Sequence, residues 1–143
     1  MIEGAQCESR LHHVGYVVRN IEAEVEGFAK SILASWDTRI YHDPLQKVRV
    51  TFLRTLNQTD PLIELVEPAT EDSPVQQFLR KGGGLHHLCY EVTDLDLHLR
   101  QMQVAGAVLV KAPLPAVAFE NRRIAWVWTR QRLLLEFLES GKT

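Results

Sequence analysis

Sulfhydryls are scarce in this chain: Cys7 and Cys89 are its two cysteines. That is too few for a disulfide framework and points to a reducing compartment. A surplus of one charge is also lacking. Lys and Arg total 16 against 18 Asp and Glu, a net charge of −2, so nothing points to nucleic acid or an anionic membrane surface. No apolar run approaches the roughly 20 residues of a membrane span. The start, Met1-Ile2-Glu3-Gly4, has neither the basic nor the apolar region of a secretory signal. These absences predict a soluble, cytoplasmic protein with no nucleic-acid or membrane partner. A phosphate loop is missing too. The glycines at 82–84 have no strand before them and no Lys-Ser or Lys-Thr after them, and read as a connector.

What is present is ordinary globular material. At 143 residues, 45% apolar and 24% charged, the chain predicts a single domain over 1–143 with a core of its own. It is too apolar to be disordered.

The most informative feature is an internal repeat. Residues 11–18 read LHHVGYVV and residues 85–92 read LHHLCYEV, identical at five of eight positions at an offset of 74. Asn20-Ile21 and Asp94-Leu95 follow at the same offset, and Asn and Asp are good helix N-caps. Ile21, Val25 and Phe28 then match Leu95, Leu99 and Met102, the i, i+4, i+7 stripe of a helix packed on a sheet. LIELVE at 62–67 matches LLEFLE at 134–139 at an offset of 72. Each half therefore reads as strand, helix and three strands, in modules of about 11–67 and 85–139. The first predicts strands at 11–18, 36–42, 47–55 and 61–67 around a helix at 20–34. The second predicts strands at 85–92, 107–111, 122–128 and 132–139 around a helix at 94–105. A short helix over 73–81 links the modules, opened by Asp72-Ser73-Pro74. APLPAVAFEN at 112–121 reads as a Pro-punctuated loop of the length that often carries function.

Strand alternation sorts the paired histidines. His12, Val14, Tyr16 and Val18 share one face, as do His86, Leu88, Tyr90 and Val92, and these faces are expected to pack beneath the helices. His13 and His87 point the other way, beside Gly15 and Cys89, where small neighbours leave room. Glu64 and Glu136 sit inside the apolar runs PLIELV and LLLEFL. A buried carboxylate is costly unless paired or bound to a metal. A lone strand histidine is ordinarily structural, but two histidines and two carboxylates at matching repeat positions suggest one shared site. Together they would hold a divalent cation with no net charge left, and the donor set suits Zn, Co, Ni, Mn or Fe. Glu67 and Glu139 also match across the repeat, but at strand ends, where solvent is expected. Trp126 and Trp128 read as pocket lining or as core or dimer packing. Arg122, Arg123, Arg130 and Arg132 read as a solvated hairpin or as an anion site.

With LHHVGYVV, IELVEP at 63–68, EDSPVQQFL at 71–79 and GGGLHHLCYEV at 82–92, nearly the whole chain resembles the vicinal oxygen chelate superfamily (glyoxalase, bleomycin resistance, dioxygenase). Within that superfamily it most resembles the methylmalonyl-CoA epimerases. The resemblance implies an α+β fold in which two tandem βαβββ modules form a cupped mixed sheet around a metal site. It places the ligands on His13, Glu64, His87 and Glu136. The implied chemistry is removal of a proton next to the thioester of a 2-carboxyacyl-CoA, with a metal-stabilised enolate. Glu136 is then a ligand that also moves a proton, and Glu64 chiefly a ligand with a share in catalysis. The implied cofactor is one divalent metal, and the implied assembly is a homodimer. Three departures stand out. KVRVTFLR offers Arg49 and Thr51 but no acid where epimerases can use one, and LPAVAFENRR and WTRQRLLLEF replace the usual loops around the pocket. Two alternatives therefore remain open: a glyoxalase-like metal-dependent isomerase or lyase on another small substrate, or a non-catalytic small-molecule-binding relative.

Overall fold

The structure is a computed structural model that describes residues 8–141. The readings placed on Cys7 and on residues 1–4 fall outside them. In chain order the elements are β1 (Ser9–Val17), α1 (Ile21–Ser31), β2 (Ser35–Trp36), β3 (Tyr41–Asp43), β4 (Val48–Arg54) and β5 (Leu62–Pro68). They continue with α2 (Gln76–Arg80), β6 (Gly84–Val92), α3 (Leu95–Val104), β7 (Val108–Pro115), β8 (Arg123–Trp128) and β9 (Leu134–Glu139). The nine strands form one sheet in the order β2-β4-β5-β1-β6-β9-β8-β7, with β3 paired to β4. The β1–β5 and β6–β9 pairs are parallel. The two modules meet at the antiparallel β1–β6 pair, which is the middle of the sheet. The fold is α+β with a curled, mostly antiparallel sheet. No helix among the described residues is long and apolar enough to cross a membrane.

Both long helices begin where the N-caps predict. The Asn20 side chain accepts from Ala23 N and that of Asp94 from Leu97 N, each at the third residue beyond the cap. Helix α1 packs Ile21 and Val25 onto Leu53 and Leu65 on one face of the first module. Helix α3 packs Leu95 and Leu99 onto Ala125, Val127, Leu135 and Phe137 in the second. The opposite sheet face buries Val17, Val50 and Val66 in one half and Cys89, Ile124 and Leu138 in the other. Both faces of β5 and β9 are thus covered, as their apolar runs predict. At the junction, Gly83 adopts φ +69°, and a Cβ there would lie 2.8 Å from the Val17 carbonyl oxygen, so the connector needs glycine.

Three elements differ from expectation. The strand predicted at 36–42 splits into β2 and β3, both paired to β4. The Asp37 side chain accepts from Arg39 N and Thr38 takes φ 67°, a local turn that competes with extension. Strand β7 runs on through Pro113 to Pro115, followed by a 3-10 turn at Val117–Phe119. As the last strand in the sheet order it has an open side, and an edge tolerates proline. The linker helix is also shorter than 73–81.

Glu67 and Glu139 are not simply solvated. Glu67 is buried, accepts from Ile21 N at 2.9 Å at the start of α1 and pairs with Arg49 at 2.7 Å. Arg49 also reaches Glu22 at 2.8 Å. The second module repeats the triad: Arg123 bridges Glu139 at 2.8 Å and Asp96 at 3.0 Å. Arg122 pairs with Glu91 at 2.7 Å. Internal carboxylates therefore occupy Arg122 and Arg123, which removes both from a substrate-anion site. Glu67→Ala strips a buried backbone N–H and an arginine of their partner and is expected to cost about 2 kcal/mol. Glu139→Ala, at a side chain one-third exposed, should cost less than about 1 kcal/mol. Urea unfolding of the two variants measures the difference.

Candidate metal centre

The side chains of His13, Glu64, His87 and Glu136 converge at the seam between the modules, each at most 6% exposed. The two His Nε2 atoms lie 3.3 Å apart. Glu136 Oε1 is 3.1 Å from His13 Nε2 and 3.4 Å from His87 Nε2. Glu64 Oε1 is 3.2 Å from His87 Nε2 and 3.4 Å from His13 Nε2. Four ligands about 2.0–2.1 Å from a common centre stand roughly 3.0–3.4 Å apart, so the spacing fits one ion. Glu136 Oε1 is also buried without a hydrogen-bond partner among the described residues, a costly state that a cation relieves. The donor set of two imidazoles and two carboxylates suits a divalent metal of the Zn, Co, Ni, Mn or Fe kind.

Electrostatics points the same way. Burial opposes charge on His13 and His87, yet the carboxylates beside them prevail and hold both imidazoles above the usual histidine range. Burial likewise pushes the Glu64 and Glu136 carboxyls up, but the two histidines outweigh it and hold both below the usual carboxylate range. A cation competes with protons for these imidazoles, so its affinity should fall as pH is lowered.

The strand expected to place His12 and His86 beneath the helices does not do so. Along the β1–β6 ladder Leu11 pairs with Tyr90 and His13 with Cys89, leaving His12 as an extra residue. Further on Gly15 pairs with His87 and Tyr16 with Leu85, leaving His86 extra. Each is a β-bulge, which locally breaks the alternation. His12 therefore packs edge-on against Phe119 and His13, and His86 against Phe78 and His87. Beyond the bulges, Tyr16 and Val18 do face α1, and Leu88, Tyr90 and Val92 face α3. Burial, and next the adjacent His13 or His87, lowers the pKa of His12 and of His86 to about 4.

A cavity of about 410 Å³ opens onto Glu64, His87 and Glu136, within the size range of small-ligand sites. Its walls include Val48, Val50, Phe119 and Trp126. Strand β4 thus presents valines to the cavity. Arg49 turns away to Glu22 and Glu67, and Thr51 bonds Trp36 and the Arg39 carbonyl. No carboxylate comes from β4. Trp126 lies edge-on to His87 at 4.6 Å and donates its Nε1–H to Gln46 of the other module at 3.1 Å, whereas Trp128 is exposed. Phe52 and Phe119 flank His13. Phe119 comes from the loop region flagged at 112–121; no pattern in the sequence marked Phe52 or Gln46.

Gly15 is the tightest requirement. A Cβ there would fall 2.0–2.5 Å from the atoms of the His87 ring, so the ring lies where a side chain would otherwise be. Gly15→Ala is expected to displace His87 and weaken divalent-cation binding about 10–100-fold, read by competition with a chromophoric chelator.

Comparison with known proteins agrees with this fold. Residues 6–126 match the family model of the Glyoxalase/Bleomycin resistance protein/Dioxygenase superfamily. The chain is 32% identical over 120 residues to an ethylmalonyl-CoA/methylmalonyl-CoA epimerase of Cereibacter sphaeroides, covering 82% of this chain and 87% of that one. It is 30% identical to the uncharacterised protein YqjC of Bacillus subtilis, over 92% of each. Among solved structures, methylmalonyl-CoA epimerase from Mycobacterium tuberculosis superposes with a TM-score of 0.79 at 26% identity, covering 92% of this chain and 88% of that one. The chain belongs to the glyoxalase/bleomycin resistance/dioxygenase superfamily, the vicinal oxygen chelate fold.

Proposed function

We propose that this protein is a divalent-metal-dependent epimerase of a 2-carboxyacyl-CoA such as methylmalonyl-CoA. The observation that carries the reading is its likeness, along most of both chains, to the Cereibacter sphaeroides epimerase. The geometry supports it chemically. Epimerisation removes a proton from C2 and returns one to the opposite face, and two buried carboxylates stand at repeat-related positions in one pocket. His13, Glu64, His87 and Glu136 would hold the cation, which when bound would supply Lewis acidity to the oxygens flanking C2.

Glu136 Oε takes the C2 proton. The C–H electron pair moves into the adjoining C–C bond, and the thioester C=O pair moves onto its oxygen. Reprotonation at C2 from the other side reverses the shifts. Glu64 is chiefly a ligand, placed by the pseudo-twofold to share the proton work. Phe119, Trp126 and the β4 valines keep the pocket dry around the enolate.

The purified protein should hold about one divalent cation per chain, and His13→Ala or His87→Ala should each remove most of it; elemental analysis against protein concentration decides. Wash-in of solvent deuterium at C2 of methylmalonyl-CoA tests the chemistry. At matched metal occupancy Glu136→Gln should lose about 10²–10⁴ in rate, the usual cost of a lost general base, and Glu64→Gln should lose less. The apolar wall from β4 favours, as a second reading, a glyoxalase-like isomerase or lyase on a different small substrate. Metal-loaded wild type that exchanges no C2 hydrogen supports that reading over the epimerase.

A homodimer belongs to the same proposal. The β7 edge exposes Val108 and Val110, and open edges call for cover. Sedimentation at micromolar concentration should show a species of twice 16.3 kDa; a monomer alone contradicts it.

A further inference from the structure

We propose that His12 and His86 are positioning residues that fix the ring tautomer and aim of His13 and His87; this rests on the metal-centre reading above. A histidine that ligates through Nε2 must carry its hydrogen on Nδ1. His13 and His87 are too buried for water to accept that hydrogen, and a buried donor without an acceptor costs about 1–3 kcal/mol. The structure sets a neighbouring ring nitrogen beside each, and the Cys89 side chain also bonds His13. Nδ1 of His13 lies 2.8 Å from Nδ1 of His12, and Nδ1 of His87 lies 2.9 Å from Nδ1 of His86. Each ligand imidazole donates, so each neighbour offers a bare Nδ1 and carries its own hydrogen on Nε2.

Regular alternation would turn consecutive side chains to opposite faces and forbid this contact. The two bulges make it, one on each strand at repeat-related positions. The accepting rings are themselves held. His12 sits edge-on to Phe119 at 5.4 Å, and His86 sits edge-on to Phe78 at 4.9 Å. The ring centroids of each His–His pair stand 5.1 Å apart, close to the Nδ1–Nδ1 separation plus a ring radius at each end, so the two nitrogens face each other along the line between the rings, where an N–H meets a lone pair end-on. Outer partners of metal-bound histidines characteristically fix tautomer and orientation in this way. The doubled histidine in both LHH motifs is accordingly one ligand and one orienter, used twice.

The test uses full-length protein with Zn²⁺. Long-range ¹H–¹⁵N correlation on ¹⁵N-histidine-labelled, zinc-loaded wild type should show His13 and His87 protonated at Nδ1, and His12 and His86 protonated at Nε2. A bare Nδ1 on His13 or His87, or an Nδ1–H on His12 or His86, overturns the proposal without any mutation. His12→Phe and His86→Phe should each weaken Zn²⁺ affinity about 10–100-fold. His12→Asn and His86→Asn, whose Oδ1 stands near the place of Nδ1 and still accepts, should recover most of it. Folded Phe variants that bind Zn²⁺ as tightly as wild type overturn the positioning role alone. Wild type that binds no divalent cation overturns the metal centre beneath it. His12, His13 and Cys89 also lie close enough together to share an ion. Zinc affinity lost in Cys89→Ser but kept in His87→Ala would assign the ion there, and the proposal would fall.

Discussion

Two carboxylates and two imidazoles are buried together where the halves of the chain meet, and the rest of the structure is arranged around that cost. Removing an ion from water costs several kcal/mol even after relaxation. The quartet is stable only if charge is balanced inside it, by protons or by a divalent cation. Its packing leaves little latitude. Gly15 has no side chain because the His87 ring occupies that space. Phe52 and Phe119 close around His13 and Trp126 closes against His87. Such walls strengthen electrostatic interactions inside them by excluding water, which suits the proposed ionisation of a C–H next to a carbonyl.

The same solution is built twice. Each module caps its long helix with Asn20 or Asp94. Each ties an arginine between a helix acid and a strand-end acid, Glu22–Arg49–Glu67 and Asp96–Arg123–Glu139. Each supplies one histidine and one glutamate to the centre. The pseudo-symmetry fails at Gly15, which matches Cys89, and in the cavity, which Trp126 of one module and the β4 valines of the other line. The proposed substrate, with a thioester on one side and a carboxylate on the other, has no twofold axis, and an asymmetric pocket on a symmetric ligand frame suits it.

Much of this was legible in the sequence because duplication shows each element twice. The helix caps, the two modules in one mixed sheet, and the meeting of His13, Glu64, His87 and Glu136 all follow from the repeat and the resemblance together. Strand phase, with the small neighbours Gly15 and Cys89, separates His13 from His12. It misplaced His12 and His86, however, because alternation assumes an unbroken ladder, and a bulge has no local signature in LHHVGYVV or LHHLCYEV. Glu67 and Glu139 looked solvated because their partners, Arg49 and Arg123, lie on other strands, and pairing across strands is not written in local pattern. The division of residues 36–42 turned on one Asp37 side chain competing for its own backbone. The extension of β7 through two prolines depended on its place at the sheet edge, which only the assembled sheet reveals.

The proposed chemistry requires one ion at the centre of the quartet. Crystals grown with Co²⁺ or Zn²⁺ and measured on either side of the metal absorption edge locate that ion without reference to activity. One strong anomalous peak per chain, bonded to His13 Nε2, His87 Nε2 and an oxygen each of Glu64 and Glu136, is the expected result. A peak at His12, His13 and Cys89 instead, or no peak within bonding distance of both glutamates, contradicts it.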